Sequence, residues 1–210
     1  VIQPRRTAGR HDNGEPDSGE VVEQILSATL RLMQDQMFDD ISVANIISEA
    51  QLSRTTFYFY FASKFTVLRT LLERAVDDIF ERVQPFLAQS EGDTPMEALQ
   101  RSLSSVTVAW HRHRPVLREI AHHWHSDPEL HTLWLDVVER FVSSGAEVID
   151  RQREAGQITS TEPSRNLATI LFWSTERILY IAGLGIEPML RDEEAALGLL
   201  ETLWRGMLYG

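Results

Sequence analysis

Between Leu52 and Lys64 the chain reads LSRTTFYFYFASK, with five consecutive rings from Phe57 to Phe61. Ser53 and Arg54 stand on one side of the run and Lys64 on the other. By propensity alone, five aromatics suit a strand. On a helix, at about 100° per residue, they divide into faces. Phe57 and Phe61 then share one face and are expected in the core, while Thr55, Thr56 and Phe59 share the opposite one. Tyr58 and Tyr60 lie on the flanks, and Arg54 sits in the first turn. A small, apolar outward face suits thymine methyls and base edges in a DNA major groove. Tyrosine hydroxyls on its flanks suit phosphates, and a helix N-terminus behind Ser53 suits an anion. The plainer reading makes Tyr58 and Tyr60 packing residues with hydroxyls in water.

Net charge tells against nucleic acid at first sight, because the 210-residue chain carries −11. Its distribution tells the other way. From Ala50 to Leu72 there is no Asp or Glu, while Arg54, Lys64 and Arg69 supply three positive charges. Lys64 is the single lysine of the chain. There is no cysteine, which removes disulfides, thiolate metal sites and cysteine nucleophiles. Six of the seven histidines lie between His111 and His131, and His122, His123 and His125 could be metal ligands. Adjacent positions diverge on a helix, and no nearby carboxylate completes a set, so no metal and no cofactor are expected. No Gly-x-Ser-x-Gly elbow, phosphate-binding glycine loop or His-Glu-x-x-His motif is present, so no catalytic residues are assigned. No uninterrupted apolar run reaches about 18 residues, and the first residues are polar, unlike a signal peptide. A cytoplasmic protein without a membrane partner is expected.

The elements that must position these residues read as all-α, in about nine helices. Residues 1–19, with Arg5, Arg6 and Arg10, have almost no apolar content and read as a disordered arm. Those arginines suit a minor groove or simply solvent. Val22, Ile25, Leu26, Leu30 and Met33 give a first helix. Ser42, Ser53 and Ser63 cap the second, third and fourth. Thr94-Pro95 with Glu97 is a capping box for a fifth, ending near Arg112. Pro115 opens a sixth, Asp127-Pro128 a seventh that stops at Gly156, Pro163 an eighth, and Asp192 a ninth.

A short helix, the turn AQLS and a second short helix make helix-turn-helix geometry. The stretch ISVANIISEAQLSRTTFYFYFASK resembles the DNA-binding headpiece of tetracycline-repressor-family transcriptional regulators, through Ser42, Ile46, Ala50, Leu52, Ser53, Thr56, Phe57, Tyr58, Phe61 and Lys64. TFYFYF, with ERILYIAG and WRGMLYG near the C-terminus, carries a narrower resemblance to a mycobacterial branch of that family. The resemblance implies a headpiece over residues 20–66 and a helical ligand-binding and dimerisation domain over 67–210. It implies Thr55, Thr56 and Phe59 at bases, Arg54 at guanine, and Ser42, Tyr58, Tyr60 and Lys64 at phosphates, beside Ser53 at the helix start. Three positions depart from the family pattern: Gln51 replaces a turn glycine, Ile47 a small alanine, and Phe65 a glutamate.

The five tryptophans all lie in the second domain. Leu99, Leu103, Val106 and Trp110 form one stripe at helical spacing, and Trp134, Val138 and Phe141 another. Phe172 and Thr175 belong to a third, with Trp204 in the last helix. Alone these stripes read as solid core; the resemblance makes them the lining of a cavity for a small hydrophobic effector. The helix NLATILFWSTERILYIAG is apolar on almost every face and, with the last helix, is the expected homodimer face. A homodimer fits palindromic double-stranded operator DNA. The expected function is a ligand-responsive regulator, a repressor by resemblance. A carrier of hydrophobic molecules, or an all-α enzyme using the cavity, is the alternative.

Overall fold

The computed structural model describes residues 18–88 and 94–210, so the expected arm lies outside it except for Ser18 and Gly19, which already open a helix. Helices account for the regular structure, and no strand occurs among the described residues. They are α1 (Ser18–Asp35), α2 (Val43–Ala50), α3 (Arg54–Tyr60), α4 (Lys64–Ala88), α5 (Pro95–His123), α6 (Pro128–Glu154), α7 (Ser164–Leu184) and α8 (Glu193–Leu208). Two 3₁₀ turns, Phe38–Asp40 and Pro188–Leu190, punctuate them.

Helix starts fall where the side-chain caps place them. Ser42 accepts from Asn45 N–H, Ser53 from Thr56 N–H, Thr94 from Glu97 N–H, and Asp192 from Ala195 N–H. Gly156 and Gly185 close α6 and α7 at φ 71° and 64°, a region that side-chain-bearing residues avoid.

One boundary differs. The fifth and sixth expected helices are a single helix, α5, with Pro115 inside it. Proline removes one helical hydrogen bond and crowds the preceding turn, a local penalty of about 3 kcal/mol. The stripe Leu99, Leu103, Trp110, Leu117 stays in phase across the proline and is buried throughout. Packing of that stripe outweighs the local break.

The head comprises α1–α3 and the first turns of α4, closed over Ile25, Phe38, Ile46, Phe57 and Phe61. The body is α4–α8, with α5 packed along α4 and α6 along α7. Helix α4 belongs to both, so a boundary at 66/67 falls inside its first turn. Gln51 adopts φ 55° and ψ 40°, the left-handed conformation that glycine would take without strain. The substitution therefore keeps the turn and stores about 1 kcal/mol in it. Ile47 is half-buried against the head core.

Candidate nucleic-acid interface and effector cavity

Helix α3 presents its two faces as the ring pattern dictates. Phe57 and Phe61 are buried, while Phe59 is 80% exposed and Tyr58 44%. Thr55 is exposed beside them, and the Arg54 guanidinium lies over the Tyr58 ring at 5.3 Å. Thr56 turns partly inward: it is half-buried, and its hydroxyl shares a hydrogen bond with Ser53 Oγ at 2.7 Å. Tyr60 is half-buried and packs against the head core, so its ring serves packing first. Ser42 and Ser53 spend their oxygens as helix caps, at 3.1 and 3.0 Å from the backbone N–H groups they accept from.

Lys64 has another task. Its ammonium donates to the carbonyls of Phe38, Asp39 and Ile41 at 2.8, 3.1 and 2.9 Å, and lies 4.7 Å from the Phe38 ring centroid. An ammonium has three hydrogens, and all are used here to gather a turn distant in the chain. Arg69 is also engaged, with Glu73 at 3.2 Å and Glu129 at 3.9 Å. Of the three cations in the acid-free window, Arg54 is the one offered on the recognition face. Replacing Lys64 with methionine keeps the stem and removes the clamp. Charge-assisted bonds at a half-buried site make the expected loss about 2 kcal/mol of stability, read as a lower melting temperature. The salt slope of DNA binding should stay unchanged, whereas a lost phosphate contact would flatten it by about one per subunit.

Within the body, α4–α8 line an apolar cavity of about 130 Å³. Nine of the ten expected positions line it: Leu99, Leu103, Val106 and Trp110 from α5, Trp134 and Phe141 from α6, Phe172 and Thr175 from α7, and Trp204 from α8. Val138 is not among the lining residues; its neighbour Val137 is. Sequence reasoning missed Val76 and Ile79, which α4 contributes, because their stripe is indistinguishable from core until α5 and α6 are in place. A cavity of about 150 Å³ with apolar walls accepts a benzene-sized ring.

Its polar atoms are few. Trp204 Nε1 donates to Thr175 Oγ1 at 3.0 Å. Ser102 Oγ, Trp134 Nε1 and Glu176 Oε2 are buried without a hydrogen-bond partner. Glu176 is 4% exposed; burial raises its pKa above the usual carboxylate value, only partly countered by Arg177. Raised in the folded state, this group favours folding below the ordinary glutamate range and loses that contribution as pH rises through its elevated value. Glu176→Gln is therefore expected to raise the melting temperature at pH 7 and to flatten its decline between mildly acidic and neutral pH. Melting curves across that range test this; parallel profiles for both proteins would refute it.

Uncovered apolar side chains also gather on the outer faces of α7 and α8. Ile170 and Leu184 on α7 and Leu199 on α8 are exposed, as are Ile186 and Met189 in the connection. Gly198 and Gly206 open onto free space, so α8 admits close approach. By length and composition α7 would suffice to cross a membrane, as core helices also can, although Glu176 and Arg177 interrupt its apolar run; here it packs on α6 and α8.

Two families match. "Transcriptional regulator EthR, C-terminal domain" covers residues 99–210, and "Bacterial regulatory proteins, tetR family" covers residues 25–71. The HTH-type transcriptional regulator EthR of Mycobacterium tuberculosis is 34% identical over 187 residues, 89% of this chain and 86% of that protein. The EthR of Mycolicibacterium smegmatis is 28% identical over 99% of this chain and 94% of its own length. Among solved structures, a transcriptional regulator from Saccharomonospora viridis in complex with choline superposes with a TM-score of 0.74 at 20% identity, covering 91% and 98% of the two chains. A SmeT–triclosan complex gives 0.72 at 18% identity, covering 89% and 90%. These last likenesses are of fold. The narrower mycobacterial resemblance of the aromatic run and the C-terminal helices agrees with the EthR matches, and the relatives are transcriptional regulators rather than enzymes. With its helix-turn-helix, its outward aromatic face and these relatives together, the chain belongs to the TetR family of transcriptional regulators.

Proposed function

We propose that this protein is a cytoplasmic, ligand-released repressor that binds palindromic operator DNA as a homodimer. The observation that carries the reading is the double membership of α4. Its first residue, Lys64, grips the head, and its Val76 and Ile79 form part of the cavity wall. A small apolar molecule that widens the cavity pushes on the helix that aims α3. Arg54, Thr55, Tyr58 and Phe59 supply the groove contacts, with Ser42, Ser53, Thr56 and Tyr60 supporting them. A coupling of about 1–3 kcal/mol between ligand and DNA is enough for release. The choline and triclosan complexes of structural neighbours support a small-molecule effector here. The outer faces of α7 and α8 supply the two-fold contact.

The test is a fluorescence-anisotropy titration with DNA from upstream of this protein's own gene, against a scrambled duplex. Preferential binding supports the reading. Equal, weak binding to both, followed by failure to select any sequence from random DNA, would sink it.

A further inference from the structure

At the joint between head and body, three side chains able to hold a metal come together, with a fourth beside one of them. His122 and His123 end α5, Glu119 lies one turn earlier, and Asp39 comes from the 3₁₀ turn of the head. Ligand atoms of Asp39, His122 and His123 all lie within 4.8 Å of one another. His123 Nε2 is 3.5 Å from Asp39 Oδ1 and 3.6 Å from Glu119 Oε2. His125, expected beside them in the sequence, is not in the group.

Two of these atoms are orphans. His123 Nε2 and Glu119 Oε2 are buried with no hydrogen-bond partner, on side chains 9% and 1% exposed. Their separation is too long for a hydrogen bond. It does match a coordination edge: ligands about 2.0–2.2 Å from a tetrahedral zinc stand about 3.3–3.6 Å from each other. The shell around them is in place. Arg118 holds the other Glu119 oxygen at 2.8 Å, leaving Oε2 for His123. Phe38 and Phe65 pack their rings edge-on to His123 at 6.1 and 6.0 Å between centroids. Lys64, through the Phe38, Asp39 and Ile41 carbonyls, fixes the turn that carries Asp39. Asp39 and His122 are exposed and give a cation a way in.

We propose that Asp39, His122 and His123, backed by Glu119, form a site for a zinc-class divalent cation that ties the DNA-binding head to the effector-binding body. Imidazole with carboxylate and no thiolate selects zinc, cobalt or nickel over copper(I). Because Asp39 moves with the head and the other three with α5, a bound cation restrains the angle between them. Cation binding stands on its own; its effect on DNA rests on the regulator reading.

The experiment uses the full chain without a histidine tag. Zinc is titrated in competition with a chromophoric chelator, and cobalt(II) reports tetrahedral ligation by its visible absorption. One zinc per chain is expected. Asp39→Asn and His122→Ala, both at exposed positions, should each weaken binding by about tenfold or more, while His125→Ala should not. Absence of binding, or equal affinity in all four proteins, overturns the site. Saturating zinc should then change operator affinity about fivefold in the wild type and not in Asp39→Asn. Zinc bound with no change in operator affinity overturns the coupling alone. Zinc bound with no operator found for any form overturns the coupling and the regulator reading together, and leaves the site standing.

Discussion

Phe59→Ala is expected to weaken operator binding about 100-fold while leaving the melting temperature nearly unchanged. The ring is 80% exposed in the free protein, at the centre of the outward face of α3. Its ring meets Tyr60 edge-on at 5.0 Å between centroids, and exposed substitutions of this kind stay within about 0.5 kcal/mol of stability. In a groove the same ring loses most of its water. Burying a phenylalanine side chain fully is worth about 1.5–3 kcal/mol, and part of that is at stake in each subunit. In the proposed homodimer, two subunits on one operator double the effect. Because no charge is removed, the dependence of binding on salt should keep its slope. Anisotropy titrations across salt concentrations, with thermal melts of the same preparations, measure both quantities. A loss of operator binding matched by a large drop in melting temperature would mean the ring supports the head instead of reading DNA.

The second large effect is expected from charge on the outer faces of α7 and α8. Ile170→Arg combined with Leu199→Arg should convert a dimer into a folded monomer by sedimentation velocity, with an unchanged helical circular dichroism spectrum. In a two-fold interface each substitution occurs twice. Burying unpaired charge there costs about 3 kcal/mol or more. Both positions are exposed in the isolated chain, so the fold itself loses little. Operator affinity should fall by about 10²- to 10⁴-fold, because two headpieces no longer bind as one unit. A variant that remains dimeric and binds its operator normally would move the interface elsewhere on the surface.

The sequence was most informative wherever one turn of helix decides the outcome. Ser42, Ser53, Thr94 and Asp192 cap within three residues of themselves, so the helix starts could be read directly. The faces of α3 followed from angular spacing alone, which is why Phe57 and Phe59 fall on opposite sides as expected. The same local reasoning misled at Pro115, where a breaker with a penalty of about 3 kcal/mol is overridden by a buried stripe running through it.

By itself, then, the sequence determined the all-α class, most helix boundaries and the outward placing of Thr55, Tyr58 and Phe59 on α3; its apolar stripes alone read as core, and only the family resemblance made them a cavity wall, which nine of the ten positions line. Tertiary structure alone decided that Lys64 grips carbonyls of a distant turn, that Thr56 and Tyr60 are partly drawn inward, and that α4 walls the cavity through Val76 and Ile79. It also supplied the carboxylates missing from the histidine cluster, Glu119 from a turn away on α5 and Asp39 from the head. The division has one cause. Caps and helical faces are set by backbone geometry over a few residues, whereas a charge or a ring finds its partner only where separate helices, each burying its own apolar stripe, are brought together.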